Sequence, residues 1–233
     1  MVAGLKALLL AASVVATASS ATAQCRQALA MALDVSGSVD AREYRLQVDG
    51  LAAALLHPEV RDAFLALPDS PVRLSIFEWS GVGAQRELLG WTEVRDSADL
   101  SAIADQLRLT QRMEMPDATA LGAAKVQGAA TLRTQMDCQH WVLDISGDGK
   151  SNEGPAPQDV RLNDVTVNAL VIGEPETGGR SSPGIGELSS YFNAYVIEGR
   201  GAFVETALGF QAYESAMVRK LKRELQVLIL SAR

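Results

Sequence analysis

Asp34, Ser36 and Ser38 stand at alternate positions at the end of an apolar run, in Leu-Ala-Met-Ala-Leu-Asp-Val-Ser-Gly-Ser-Val over residues 29–39. One loop can turn that carboxylate and those two hydroxyls toward a single point. An all-oxygen set of this kind suits a hard divalent cation such as Mg²⁺. Two more oxygen-bearing side chains fall in comparable places. Asp148 follows a second apolar run, in Ile-Ser-Gly-Asp-Gly over 145–149, and Thr119 opens a small-residue stretch, Thr-Ala-Leu-Gly over 119–122. Singly, each has a plainer reading: Ser38 or Asp40 as a helix N-cap, Asp148 as a turn former. If the two apolar runs are neighbouring parallel strands, all five side chains converge in one crevice at the sheet's carboxyl edge.

The elements that must position them follow from periodicity. Asp40 with Glu43 makes a capping box, and Tyr44, Val48, Leu51 and Leu55 recur at helical steps behind it. His57-Pro58 breaks that helix, and a second short piece runs over 59–67. Alternation over 72–79 reads as a strand, a Ser-Gly-Val-Gly turn follows, and 85–94 reads as an antiparallel edge strand. Ser97 is expected to cap a helix with Leu100, Ile103 and Leu107 on one side; a helix over 120–134 turns Leu121, Ala124, Gly128 and Leu132 inward. Further on, strands are expected over 140–146, 165–172 and 202–205, with helices over 158–162, around Leu188 and Phe192, and over 210–230. Strands alternating with helices mean an α/β fold, a doubly wound, mostly parallel sheet with helices on both faces. No linker or repeat divides the chain, so one domain is expected over 24–233.

Composition narrows the functions. The formal charge is −7 and no basic tract stands out, which argues against a nucleic-acid partner. Residues 1–23 read as a signal peptide: Lys6, an apolar stretch, then Ala21-Thr22-Ala23 before Gln24. Gln24 is too large for the residue before a lipidated cysteine, so an anchor through Cys25 is set aside. No later segment has the length and apolarity of a membrane span. The expected location is therefore a bacterial periplasm or the exterior. Cys25 and Cys138 are the only cysteines, and in an oxidising compartment two such residues are more often bonded than free.

On Asp34-x-Ser36-x-Ser38, Thr119 followed by Ala120 and Gly122, and Asp148-Gly149, the chain resembles the von Willebrand factor type A domain with its metal-ion-dependent adhesion site. All five positions are filled in order, and the resemblance spans nearly the whole mature chain. One departure is Gly147, giving Ser-Gly-Asp-Gly where many members have Ser-Asp-Gly. The resemblance implies a six-stranded, Rossmann-like sheet with one antiparallel edge strand. It implies Mg²⁺, with Mn²⁺ or Ca²⁺ as alternatives, on Asp34, Ser36, Ser38, Thr119 and Asp148, and a protein partner whose Asp or Glu completes the coordination. The site is expected to be an open surface crevice. In the family's strand order the strands after Cys25 and Cys138 are adjacent and parallel, about 4.8 Å apart, which permits a Cys25–Cys138 disulfide at the edge opposite the metal.

An enzyme is the alternative: a Mg²⁺-dependent hydrolase of phosphate or ester substrates. It would need a general base or nucleophile at the metal, and no Ser-His-Asp set, cysteine nucleophile or phosphate-cradling loop is apparent. His57 and His140, far from the five ligands in sequence context, read as structural. Asp144, a carboxylate inside an apolar strand, needs a partner; it either supports the site from behind or is a hydrogen-bonded structural group. Trp79 and Trp91 read as packing residues. Partner specificity should lie in loops 80–84, 110–118, 151–157 and 174–186.

Overall fold

The computed structural model describes residues 25–175 and 184–231, with backbone alone for 227–231. The expected signal peptide and most of the 174–186 loop lie outside the described residues. A six-stranded sheet is ordered β3-β2-β1-β4-β5-β6. Its strands are β1 (Gln27–Asp34), β2 (Val72–Trp79), β3 (Gln85–Val94), β4 (Trp141–Gly147), β5 (Thr166–Gly173) and β6 (Val204–Leu208). All neighbours are parallel except β2 and β3, so β3 is the expected antiparallel edge.

β1 lies at the centre and is buried along its whole length, which explains why it reads as an unbroken apolar run. Its alternate side chains enter two cores. Leu29, Met31 and Leu33 pack beneath α1 (Ala41–Leu56), α2 (Pro58–Leu65), α3 (Ser97–Leu109) and α6 (Tyr213–Ser231). Ala28, Ala30 and Ala32 face α4 (Leu121–Leu132) and α5 (Ile185–Tyr195). Small residues let α4 lie close: a Cβ on Gly128 would meet Leu143 Cδ1 at 2.4 Å.

Four details differ from expectation. α3 is capped by Asp96, whose side chain accepts from the Ala98 and Asp99 N–H groups, and Ser97 is its first residue. No helix forms over 158–162. There the buried Lys125 ammonium donates to the Pro157 carbonyl and Glu198 accepts the Leu162 N–H, so tertiary partners take backbone groups a helix would use. β6 begins at Val204, where its pairing with Ala169 starts. Residues Phe210–Ala212 form a 3₁₀ turn before α6 rather than its first turn.

The chain leaves β1 to build β2 and β3 on one side, then crosses to β4 on the other. The carboxyl ends of β1 and β4 therefore border a topological switch point, where open α/β sheets hold their ligands. At the opposite edge Cys25 and Cys138 form a disulfide, with Cα atoms 4.4 Å apart.

Candidate metal centre

Asp34 is the last residue of β1 and is completely buried. Its Oδ1 accepts the Ser36 N–H at 2.9 Å, and its carbonyl accepts Gln47 Nε2 at 2.9 Å. The chain then turns, Val39 N–H bonding back to the Ser36 carbonyl at 3.0 Å, before the Asp40–Glu43 capping box starts α1. This tight turn brings the hydroxyls of Ser36 and Ser38 to 3.4 Å from each other. Gly37 allows it: its N–H bonds to the Asp117 carbonyl, and a Cβ there would lie 2.7 Å from Asp117 Cβ.

The other two residues join the same line of oxygens. Thr119 Oγ1 donates to Ser36 Oγ at 3.2 Å, and Ser38 Oγ donates to Asp148 Oδ1 at 2.7 Å. The structure thus brings all five residues together, as a chain of hydroxyls from Thr119 through Ser36 and Ser38 to Asp148 with Asp34 at its base. The expected open crevice has a buried floor. Asp34 and Ser36 are fully buried and Thr119 nearly so, leaving Ser38 and Asp148 to face solvent. The cause is topological, since Asp34 still belongs to the central strand.

Electrostatics follow from that burial. Loss of solvent, then the nearby Asp148 charge, pushes the Asp34 carboxyl up to about 7 against the opposing Ser36 hydrogen bonds. Burial, with Glu43 nearby, also raises Asp148, while Ser38 pulls it down. Asp34 Oδ2 is buried without a hydrogen-bond partner. Two mutually repelling carboxylates, one with an unpartnered oxygen, and three neutral hydroxyls fit a divalent cation as a donor set. Among the described residues no group of three or more His, Cys, Asp or Glu could hold a metal.

A cleft of about 310 Å³ opens over the hydroxyls, lined among others by Ser38, Glu43, Thr119, Asp148, Lys150 and Glu174. Several supporting residues carry no sequence signal. Asn152 Oδ1 accepts the Thr119 N–H at 2.8 Å and its own N–H donates to the Thr119 carbonyl at 2.9 Å. Lys150 pairs with Glu187. Gly122, by contrast, belongs to the expected threonine motif, and it must be glycine because a Cβ would lie 2.0 Å from the Pro155 carbonyl oxygen. Asp144 points to the other face, where it forms an ion pair with the buried Lys220 at 2.7 Å, so it is structural. His140 lines a shallow pocket beside Cys138 at the amino edge, away from the cleft.

Solved structures with this fold share little sequence with it. Von Willebrand factor type A from Catenulispora acidiphila superposes with TM-score 0.58 at 14% identity, over 88% of this chain and 43% of that one. Proximal thread matrix protein 1 from the mussel byssus, with a zinc occupied MIDAS motif, gives 0.56 at 16% over 87% and 46%. Pilus adhesin SpaC from Lactobacillus rhamnosus GG, in its open conformation, gives 0.57 at 12% over 88% of this chain; the chain spans only 30% of that adhesin's length. No curated protein matches the sequence. The fold is that of a von Willebrand factor type A domain, and a family model described as Protein of unknown function (DUF1194) matches residues 24–229, so the chain belongs to that family.

Proposed function

We propose that this chain is an exported, metal-dependent protein-binding module. Asp34, Ser36, Ser38, Thr119 and Asp148 would hold one divalent cation, Mg²⁺ before Mn²⁺ or Ca²⁺, directly or through water. Bound there, the cation supplies an electron-poor coordination position to an Asp or Glu carboxylate of a protein partner. The observation that carries the reading is the hydroxyl chain from Thr119 to Asp148 set above a buried Asp34 with an unpartnered oxygen. The chain's own residues do the positioning: Asn152 fixes the Thr119 backbone, and Gln47 holds the end of β1.

Two of the structural relatives and the disulfide support the reading. SpaC is a pilus adhesin, and the mussel protein holds zinc in its MIDAS motif. The disulfide fits a signal peptide over 1–23, a mature domain over 24–233 and an oxidising periplasmic or extracellular home. Among the described residues no helix is long and apolar enough to cross a membrane. In the cleft, Glu43 accepts the Asp40 N–H as part of the α1 capping box, and Lys150 is paired with Glu187.

Calorimetric titration with Mg²⁺ and Mn²⁺ tests the metal, with one site expected in the wild type and none in Thr119→Ala. Affinity capture from envelope extract, with Mg²⁺ against chelator, tests the partner. Retention by Thr119→Ala equal to wild type would overturn the reading, as would metal-stimulated turnover of generic phosphatase or esterase substrates.

A further inference from the structure

Asp34 and Trp79 are register partners at the carboxyl ends of β1 and β2, and both are fully buried. Each carries one polar atom without a hydrogen-bond partner: the acceptor Oδ2 of Asp34 and the donor Nε1 of Trp79. The two are complementary, and they border one small space. A Cβ on Gly147 would lie 3.3 Å from Asp34 Oδ2 and 3.7 Å from Trp79 Cζ2, with Phe192 Cζ at 3.2 Å closing the other side. Cζ2 is two bonds from the indole nitrogen. Leaving a buried donor and a buried acceptor both unmet is costly, whereas neighbours too far apart for a direct bond can satisfy one another through one bridging water.

We propose that Trp79 is a positioning residue of the metal centre: its indole N–H holds Asp34 Oδ2 through one bridging water, beside the position that Gly147 keeps clear. This rests on the metal-binding reading above. A carboxylate oxygen has two lone pairs, so the contact with Trp79 orients the group while leaving it able to face the cation. Partners of this kind, lying behind a ligand, set its direction and its basicity. The contact also gives a reason for the Ser-Gly-Asp-Gly departure, because any side chain at 147 would enter the space between the two groups.

The other two of the three indoles are already engaged near the sheet's amino edge. Trp91 Nε1 donates to Thr134 Oγ1 at 3.1 Å and Trp141 Nε1 to the Gln135 carbonyl at 2.9 Å. Nitrogen-15 labelling of tryptophan therefore gives three indole signals, of which Mg²⁺ should move that of Trp79 alone. Trp79→Phe keeps a ring, removes the donor and assigns the signal; its Mn²⁺ affinity should fall about tenfold. Gly147→Ala should lower the affinity in the same direction and shift the Trp79 signal before any metal is added. A Trp79 signal that stays still while calorimetry shows Mg²⁺ binding overturns the inference, as does wild-type affinity in a folded Trp79→Phe. If Trp79→Phe does not fold, Gly147→Ala and the wild-type titration decide. If the wild type binds no divalent cation, the metal reading fails by itself, and the metal-free shift in Gly147→Ala then decides whether Trp79 and Asp34 are partners.

Discussion

Asn152 and Thr119 hold each other by two hydrogen bonds, the Thr119 N–H to Asn152 Oδ1 and the Asn152 N–H to the Thr119 carbonyl. One loop follows β4 and the other precedes α4, so the pair couples the loop of Asp148 to that of Thr119. Replacing the amide removes one of the two bonds and leaves the other. Asn152→Ala should keep the fold and weaken Mn²⁺ binding about tenfold, the usual loss when a ligand's supporting contact goes. Calorimetry alongside a thermal melt checks both halves.

Asp34→Asn should separate stability from binding. A buried neutral amide is cheaper than a buried carboxylate beside Asp148; its oxygen can still accept the Ser36 N–H, and a bridging water can accept from both its Nδ2 and the Trp79 N–H. Without metal the variant should be at least as stable as the wild type. Saturating Mg²⁺ should stabilise the wild type by about 2.7 kcal/mol at a hundredfold excess over Kd, and should do nothing for the variant. Chemical denaturation with and without Mg²⁺ reads the difference; an equal response would remove Asp34 from the site.

The buried cluster under α6 predicts a pH dependence. Asp144 is pushed up to about 7, by loss of solvent against the pull of Lys220, which also pairs with Glu224 at 2.8 Å. A carboxyl raised in the folded state keeps its proton there while the unfolded chain releases it. Its contribution to stability therefore falls as pH rises from near the ordinary value of 3.8 toward 7. Relative to wild type, Asp144→Asn should gain on the order of 4 kcal/mol between pH 4 and pH 8. Urea denaturation at the two pH values measures it, and a constant difference would refute it.

Thiol counting on denatured, unreduced protein should find none free, since Cys25 and Cys138 are bonded. Their separation is 113 residues, for which the chain-entropy model gives about 4–5 kcal/mol and measured losses run about 2–5 kcal/mol. Changing both to Ser should lower stability within that range, read by urea denaturation, and leave Mn²⁺ affinity unchanged, because the proposed metal ligands lie at the other edge of the sheet.

Much of this was legible because central strands and capped helices write themselves locally. β2 and β3 end where alternation and the Gly81 and Gly83 turn say they should, and Asp40 with Glu43 caps α1 as its spacing implies. The five oxygen-bearing residues were legible because strand ends bring them to one edge. What was hidden depends on partners far along the chain. Lys220 neutralises Asp144 across the sheet–helix interface, and Lys125 with Glu198 claims the backbone where a helix was expected. The depth of Asp34 was hidden too, since nothing in Asp-x-Ser-x-Ser says that its first residue stays inside the strand.

The disulfide sits on the same offset as the strands it joins: Ala28 faces Trp141 and Leu33 faces Ser146, each pair separated as Cys25 is from Cys138. A slip of one residue between β1 and β4 would turn one strand's side chains over to the other face of the sheet. It would also take one cysteine out of reach of the other. The closed bond thus guards the pairing: a folded sheet can hold it only with β1 and β4 in step, and that same step sets Asp34 beside the turn that carries Asp148.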